Sequence, residues 1–102
     1  MLKEQTAKQK FDLSSLEKIV LERKRQINPN SFTCRLLKDE KLLTEKLEEE
    51  ADELIETFQE KGRKEIIWET ADLLYFLIVM LASKGISLND VNSELQRRSE
   101  EK

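Results

Sequence analysis

Glu69-Thr70-Ala71-Asp72-Leu73-Leu74-Tyr75-Phe76-Leu77-Ile78-Val79-Met80-Leu81-Ala82 is the stretch that decides the fold. It belongs to a helix that begins amphipathic and turns apolar on every side from Leu73 to Ala82, the pattern of a helix surrounded by partners. A chain of 102 residues can hardly surround a helix so fully by itself. The stretch therefore predicts an all-α bundle of four to five helices, completed by dimerisation with a second copy. It also opens on two carboxylates, Glu69 and Asp72, three residues apart. Upstream, Glu49-Glu50-Ala51-Asp52-Glu53 repeats that spacing with Glu50 and Glu53. Residues three apart share a helix face, so each cluster offers two oxygen ligands side by side. Two such helices packed together supply four carboxylates, the donor set of a hard divalent cation.

Composition narrows the chemistry. The length suits one domain with one modest core. Charged residues make up 38%, and Gly and Pro together number three, which favours long helices with charged surfaces over a turn-rich β architecture. A net charge of −3 argues against a nucleic-acid-coating role, which relies on excess Lys and Arg. A polyphosphate substrate then needs a cation as intermediary. Histidine is absent, which removes the usual imidazole base and the commonest nitrogen ligand for zinc or copper. The single Cys34 has no partner for an internal disulfide and reads as a small packed residue. No charged-then-apolar leader opens the chain, and the ten-residue apolar run is about half of what a bilayer span requires. The expectation is a cytoplasmic protein without membrane contact.

Residues 1–10 have no apolar periodicity and read as a flexible N-terminal arm, leaving 11–102 as the domain. Leu13, Leu16, Ile19, Val20 and Ile27 repeat at helical spacing from Asp12 onward, and Ser14-Ser15-Leu16-Glu17 reads as a capping box. Pro29 punctuates the chain, and Ser31-Phe32-Thr33-Cys34-Arg35-Leu36-Leu37 forms a short helical turn whose hydroxyl-rich start could face an anion. Asp39 caps a long second helix with an apolar stripe of Leu43, Leu47, Ala51, Leu54, Ile55 and Phe58, stopped near Gly62 as the residue just beyond its C-cap. Glu50 borders that stripe, with Lys46 and Glu53 beside it. The third helix runs from about Lys64 to Lys84 and ends at Gly85. Ser87 and Asp90 start the last helix, with Ile86 and Val91 as a hydrophobic staple. It continues through Leu95 to Arg97 and Arg98.

Most acidic runs are solvated helix faces, and Glu48, Asp52 and Glu56 fit that reading. Glu50, Glu53, Glu69 and Asp72 fit it less well, because they border apolar stripes and few basic residues lie at helical spacing to pair with them. Lys46 lies one turn before Glu50, as an intrahelical ion pair or as a phosphate contact. Arg97 and Arg98 complement the dipole at the end of the last helix. Trp68 and Tyr75 fall near one another on the third helix and read as packing residues rather than a base-stacking platform.

These residues carry a resemblance. Glu49-Glu50-Ala51-Asp52-Glu53 and Glu69-Thr70-Ala71-Asp72 fit the EExxE then ExxD pattern of the all-α, MazG-like nucleoside triphosphate pyrophosphohydrolase superfamily. Within it the chain resembles the phosphoribosyl-ATP pyrophosphohydrolase family of histidine biosynthesis, over about residues 13 to 98. The matching parts, in order, are Ser31-Phe32-Thr33 with Leu36-Leu37, Lys46 to Glu53, Trp68 to Tyr75, Gly85 to Val91, and Glu94-Leu95. Many members have Ser-Tyr-Thr where Ser31-Phe32-Thr33 stands, Gly in place of Glu48 and His in place of Phe76. The Tyr75-Phe76 pair is similar to fungal-type members, where the activity is often one domain of a larger histidine-pathway protein.

The resemblance implies hydrolysis of phosphoribosyl-ATP to phosphoribosyl-AMP and pyrophosphate by metal-assisted attack of water. It implies Glu50, Glu53, Glu69 and Asp72 as ligands of Mg²⁺, with Mn²⁺ able to substitute, and Glu49 as the carboxylate that orients or deprotonates the water. Lys46 would contact the triphosphate, and Ser31 and Thr33 the phosphate or ribose. The acidic motif alone equally suits a house-cleaning pyrophosphatase for canonical or damaged nucleotides. The apolar third helix alone suits a non-catalytic dimerisation module.

Overall fold

Asp12 starts the first helix, α1 (Leu13–Arg25), by accepting the Ser15 N–H at 3.1 Å while the Ser15 hydroxyl accepts the Asp12 N–H at 3.2 Å. The capping box thus sits two residues earlier than Ser14 to Glu17, since a carboxylate at position 12 already meets the orphan amides. α1 stops at Arg25, and Ile27 lies beyond it, mostly exposed. The computed structural model describes residues 10–60 and 62–101, so the N-terminal arm expected over 1–10 lies outside the described residues except for Lys10. α2 (Phe32–Lys38) is capped by the Ser31 hydroxyl, which accepts the Cys34 N–H. α3 (Glu40–Glu60) follows, with the Asp39 carboxylate accepting the Leu42 N–H as expected. α4 (Arg63–Ser83) and α5 (Leu88–Ser99) complete an all-α chain with no strand among the described residues.

The two glycines differ in use. α3 stops two residues before Gly62, as expected, and Gly62, at φ −94°, is also the N-cap of α4. Gly85 sits at φ +70°, where a side chain is disfavoured. It closes α4 in a Schellman motif, with Ile86 N–H donating to Leu81 O and Gly85 N–H to Ala82 O. At α5, Ser87 and Asp90 form the expected capping box.

α1 braces the turn between α4 and α5 from both sides. Lys24 Nζ donates to Ala82 O at 2.7 Å, adding a charged donor to a carbonyl at the negative end of α4 that already accepts the Gly85 N–H. Two turns earlier on α1, Glu17 Oε2 accepts the Leu88 N–H at 2.8 Å, at the positive start of α5. Glu17 is free for this contact because Ser15, not Glu17, completes the α1 cap.

The core lies at one end of the bundle, where Val20, Leu36, Leu43, Phe76, Ile78, Val79 and Ala82 are buried and Leu16, Leu47, Tyr75 and Leu88 pack against them. Of the α3 stripe Leu43 is buried, and Leu47, Ala51 and Leu54 are half-buried. Ile55 and Phe58 are 58% and 71% exposed, because α1 and α2 do not reach that end of the α3–α4 hairpin. Across the hairpin Ile67 and Trp68 are likewise bare. α4 is 21 residues long and, by length and composition alone, is apolar enough to cross a membrane, a test that the central helix of a helical bundle also passes. Only 22% of its most apolar window is buried within this chain, so the chain alone does not surround it.

Candidate metal centre

α3 and α4 are joined through residues 61 and 62 and fold back against one another. In such a hairpin, residues equally far from the turn stand level. Glu50 and Asp72 are each eleven residues from position 61, and Glu53 and Glu69 are each eight. The spacing that puts each pair on one helix face also brings the two pairs to the same height.

Carboxylate oxygens of Glu50, Glu69 and Asp72 all lie within 4.8 Å of one another. Glu50 and Glu69 are half-buried and Asp72 is exposed, so the group opens to solvent on one side. Oε1 of Glu50 and Oε1 of Glu69 are both buried without a hydrogen-bond partner. Burial raises the Glu50 carboxyl above its ordinary value, and the neighbouring charges of Glu53, Asp72, Glu69 and Glu49 raise it further. Burial also raises Glu69, followed by the charges of Glu53 and Asp72, while Glu50 acts in the opposite direction. Glu53 is exposed and stands beside the trio rather than within it.

Unpartnered buried oxygens are costly, and clustered like charges add to the cost. A divalent cation removes both penalties. In an octahedral Mg²⁺ site with bonds of about 2.1 Å, opposite ligand oxygens lie about 4.2 Å apart, a spacing the trio reaches by small side-chain movements. The donors are all carboxylate oxygens, which suits Mg²⁺ or Mn²⁺ and not a thiophilic metal.

The other expected site residues have visible local partners. Lys46 Nζ pairs with Glu49 Oε1 at 3.4 Å, one residue short of the Glu50 partner expected from the wheel. Both groups are on the solvent side of α3, and Glu49 lies outside the carboxylate trio. Ser31 caps α2, and the Thr33 hydroxyl lies 2.5 Å from the Tyr75 hydroxyl. Tyr75 is one turn beyond Asp72 on α4, so this contact fixes the start of α2 beside the carboxylates. Phe32 packs edge-on against Phe76 and reinforces the join. Sequence patterning placed Tyr75 as a packing residue but gave no sign of this hydroxyl contact, which links positions 42 apart. Cys34 is buried as expected, held between the Asn28 N–H and Arg23 O. Glu48, Asp52 and Glu56 are exposed on the solvated face. Trp68 departs from expectation: it is 58% exposed, and the Lys64 ammonium stands 5.5 Å from its ring centre.

Fold and site together define an all-α protein whose helical hairpin presents a carboxylate cluster that could hold a metal ion. The chain belongs to the phosphoribosyl-ATP pyrophosphohydrolase family, whose model matches residues 13–99. It is similar to the phosphoribosyl-ATP pyrophosphatase of Metallosphaera sedula, at 41% identity over 87 residues, covering 84% of this chain and 94% of the relative. The phosphoribosyl-ATP pyrophosphatase of Methanosarcina acetivorans is 37% identical over 95 residues, covering 87% and 91%. A histidine biosynthesis bifunctional protein of Schizosaccharomyces pombe is 42% identical over 83 residues, which cover 81% of this chain. The chain spans only 19% of that fungal protein's length.

Proposed function

We propose that this chain hydrolyses phosphoribosyl-ATP to phosphoribosyl-AMP and pyrophosphate, the second step of histidine biosynthesis. The observation that carries the reading is the pair of buried, unpartnered oxygens of Glu50 and Glu69, facing one another across the hairpin of a chain that belongs to this family. Glu50, Glu69 and Asp72, with Glu53 beside them, would hold Mg²⁺, with Mn²⁺ able to replace it. When bound, the cation supplies positive charge against the phosphate oxygens and the leaving pyrophosphate.

The chain's own groups do the rest. Glu49 orients the attacking water and takes its proton as the water oxygen bonds to the α-phosphorus. The α–β bridging bond then breaks and the bridging oxygen leaves with pyrophosphate. Lys46 exchanges Glu49 for the triphosphate, a change of little cost because exposed ion pairs contribute under about 1 kcal/mol. The Ser31 hydroxyl accepts its cap bond and keeps its hydrogen to donate to phosphate or ribose. Thr33, held by Tyr75, presents its hydroxyl beside it. A second copy covers the bare Ile55 and Phe58 at the end of α3 and Ile67 on α4, giving a homodimer. The diffusible nucleotide substrate and net negative charge suit a cytoplasmic enzyme without nucleic-acid or membrane partners.

The deciding experiment measures pyrophosphate release from phosphoribosyl-ATP, with dNTPs in parallel, in Mg²⁺ and in EDTA. Metal-dependent release from phosphoribosyl-ATP alone is expected. Release only from dNTPs would move the chain to nucleotide house-cleaning, and no release from any of them would leave a dimerisation module.

A further inference from the structure

One stripe of α4, Trp68-Asp72-Tyr75-Val79-Ala82 at spacings of four and three, changes its surroundings along its length. Val79 and Ala82 are buried in the core, and Tyr75 is half-buried under α2, where its hydroxyl meets Thr33. Beyond Tyr75 the cover ends. Asp72 and Trp68 lie on the same face and are exposed, so the core side of α4 continues outward as an open surface. Glu50 and Glu69 border this surface, and the Thr33–Tyr75 contact ends it. An indole that is 58% exposed, on a face that elsewhere forms the core, is an apolar surface awaiting an occupant.

We infer that Trp68 is the stacking surface for the purine ring of the substrate. The inference rests on the reading that the carboxylate group binds the substrate's phosphates. Trp68 precedes Asp72 by four residues, a rise of about 6 Å along the helix axis, comparable with the reach of one nucleoside from its α-phosphate to its base. The aromatic face and the phosphate site are thus spaced as the two ends of a nucleotide require. Lys64, 5.5 Å from the ring centre, holds the indole in place from its own side of the helix. Stacking on an indole grips any purine and leaves the choice among purines to polar contacts elsewhere.

Trp68 is the only tryptophan in the chain, so its fluorescence reports this surface directly. The full chain is titrated in Mg²⁺ with α,β-methylene-ATP, which carries the purine but resists cleavage, and with inorganic tripolyphosphate, which lacks it. Saturable quenching by the first and not by the second is expected. Equal quenching by both, or none by the nucleotide analogue, overturns the inference. Emission that shifts with protein concentration but ignores the nucleotide also overturns it and assigns the indole to an interface between copies. In turnover, Trp68→Ala should raise KM for phosphoribosyl-ATP roughly 10- to 100-fold with little change in kcat, and Trp68→Phe should restore most of the loss. Calorimetry with Mn²⁺ alone separates two failures. If Mn²⁺ binds, turnover proceeds and KM of Trp68→Ala is unchanged, the stacking surface fails alone; if Mn²⁺ does not bind the native chain, the phosphate-site reading fails with it.

Discussion

Glu50 carries two opposing demands. Without a cation, its carboxylate is a partly buried charge beside three or four others, and burial first, then those neighbours, holds its pKa up. A carboxyl whose folded pKa lies above its unfolded value binds its proton more tightly when folded. Its contribution to stability is therefore present below the unfolded value and is lost as pH rises through the raised folded one. Glu69 acts in the same direction. In EDTA, melting temperatures should fall as pH rises from the carboxyl range towards neutral, once the slope of a Glu50→Gln, Glu69→Gln double variant is subtracted. A slope that persists unchanged in the double variant would show that other groups cause it. Glu50→Gln should melt higher than the native chain in EDTA at neutral pH, yet lose at least about 100-fold in Mg²⁺-dependent pyrophosphate release, the order expected when metal-assisted charge stabilisation worth several kcal/mol is removed. Full retained turnover would show that the site is elsewhere.

At the scale of helices, α1 is the brace. Lys24 and Glu17 cap the end of α4 and the start of α5 with charges matched to each helix dipole. Removing either by Lys24→Ala or Glu17→Ala should cost about 1 kcal/mol, in the range of other capping losses, read from urea unfolding midpoints. Glu17→Ala should also speed amide hydrogen exchange in the first turn of α5, which Lys24→Ala should leave unchanged. Gly85→Ala isolates a backbone effect, because an added Cβ there meets nothing within 4 Å while φ remains +70°. The expected loss is about 1 kcal/mol, or roughly 4 to 8 °C in Tm. A loss near zero would mean that the turn relaxes out of the left-handed region.

For the whole molecule, binding of a cation to the folded state alone should raise stability by mass action, by about 2.7 kcal/mol at one hundred times its Kd. Thermal melts in Mn²⁺ should therefore rise with concentration for the native chain, and the rise should vanish in Glu69→Gln. The bare apolar ends of α3 and α4 make a second, independent prediction. Sedimentation should give a mass near twice that of one chain, and Ile55→Glu with Phe58→Glu should shift it to a single copy while α1 and α2 stay folded by circular dichroism. A native chain that sediments as one copy at all accessible concentrations would remove the second copy from the proposal.

The sequence by itself determined which segments are helices, where most of them start and stop, and which acidic pairs share a helix face. Each of these depends on neighbours within one or two turns: caps at Asp39 and Ser87, the break at Pro29, and acidic pairs at a spacing of three. Even the level pairing of Glu50 with Asp72 and Glu53 with Glu69 is legible, because a short turn fixes the register of a hairpin. What only the tertiary structure decided is what covers each face. Periodicity marks an apolar stripe but not how far its partners extend, so Ile55, Phe58 and Trp68 read as packed and prove bare where α1 and α2 end. Long-range polar contacts were equally hidden. Thr33 with Tyr75, Lys24 with Ala82 and Glu17 with Leu88 join positions 42 to 71 apart, and a hydroxyl or a charge in one segment bears no local mark of the group it meets in another.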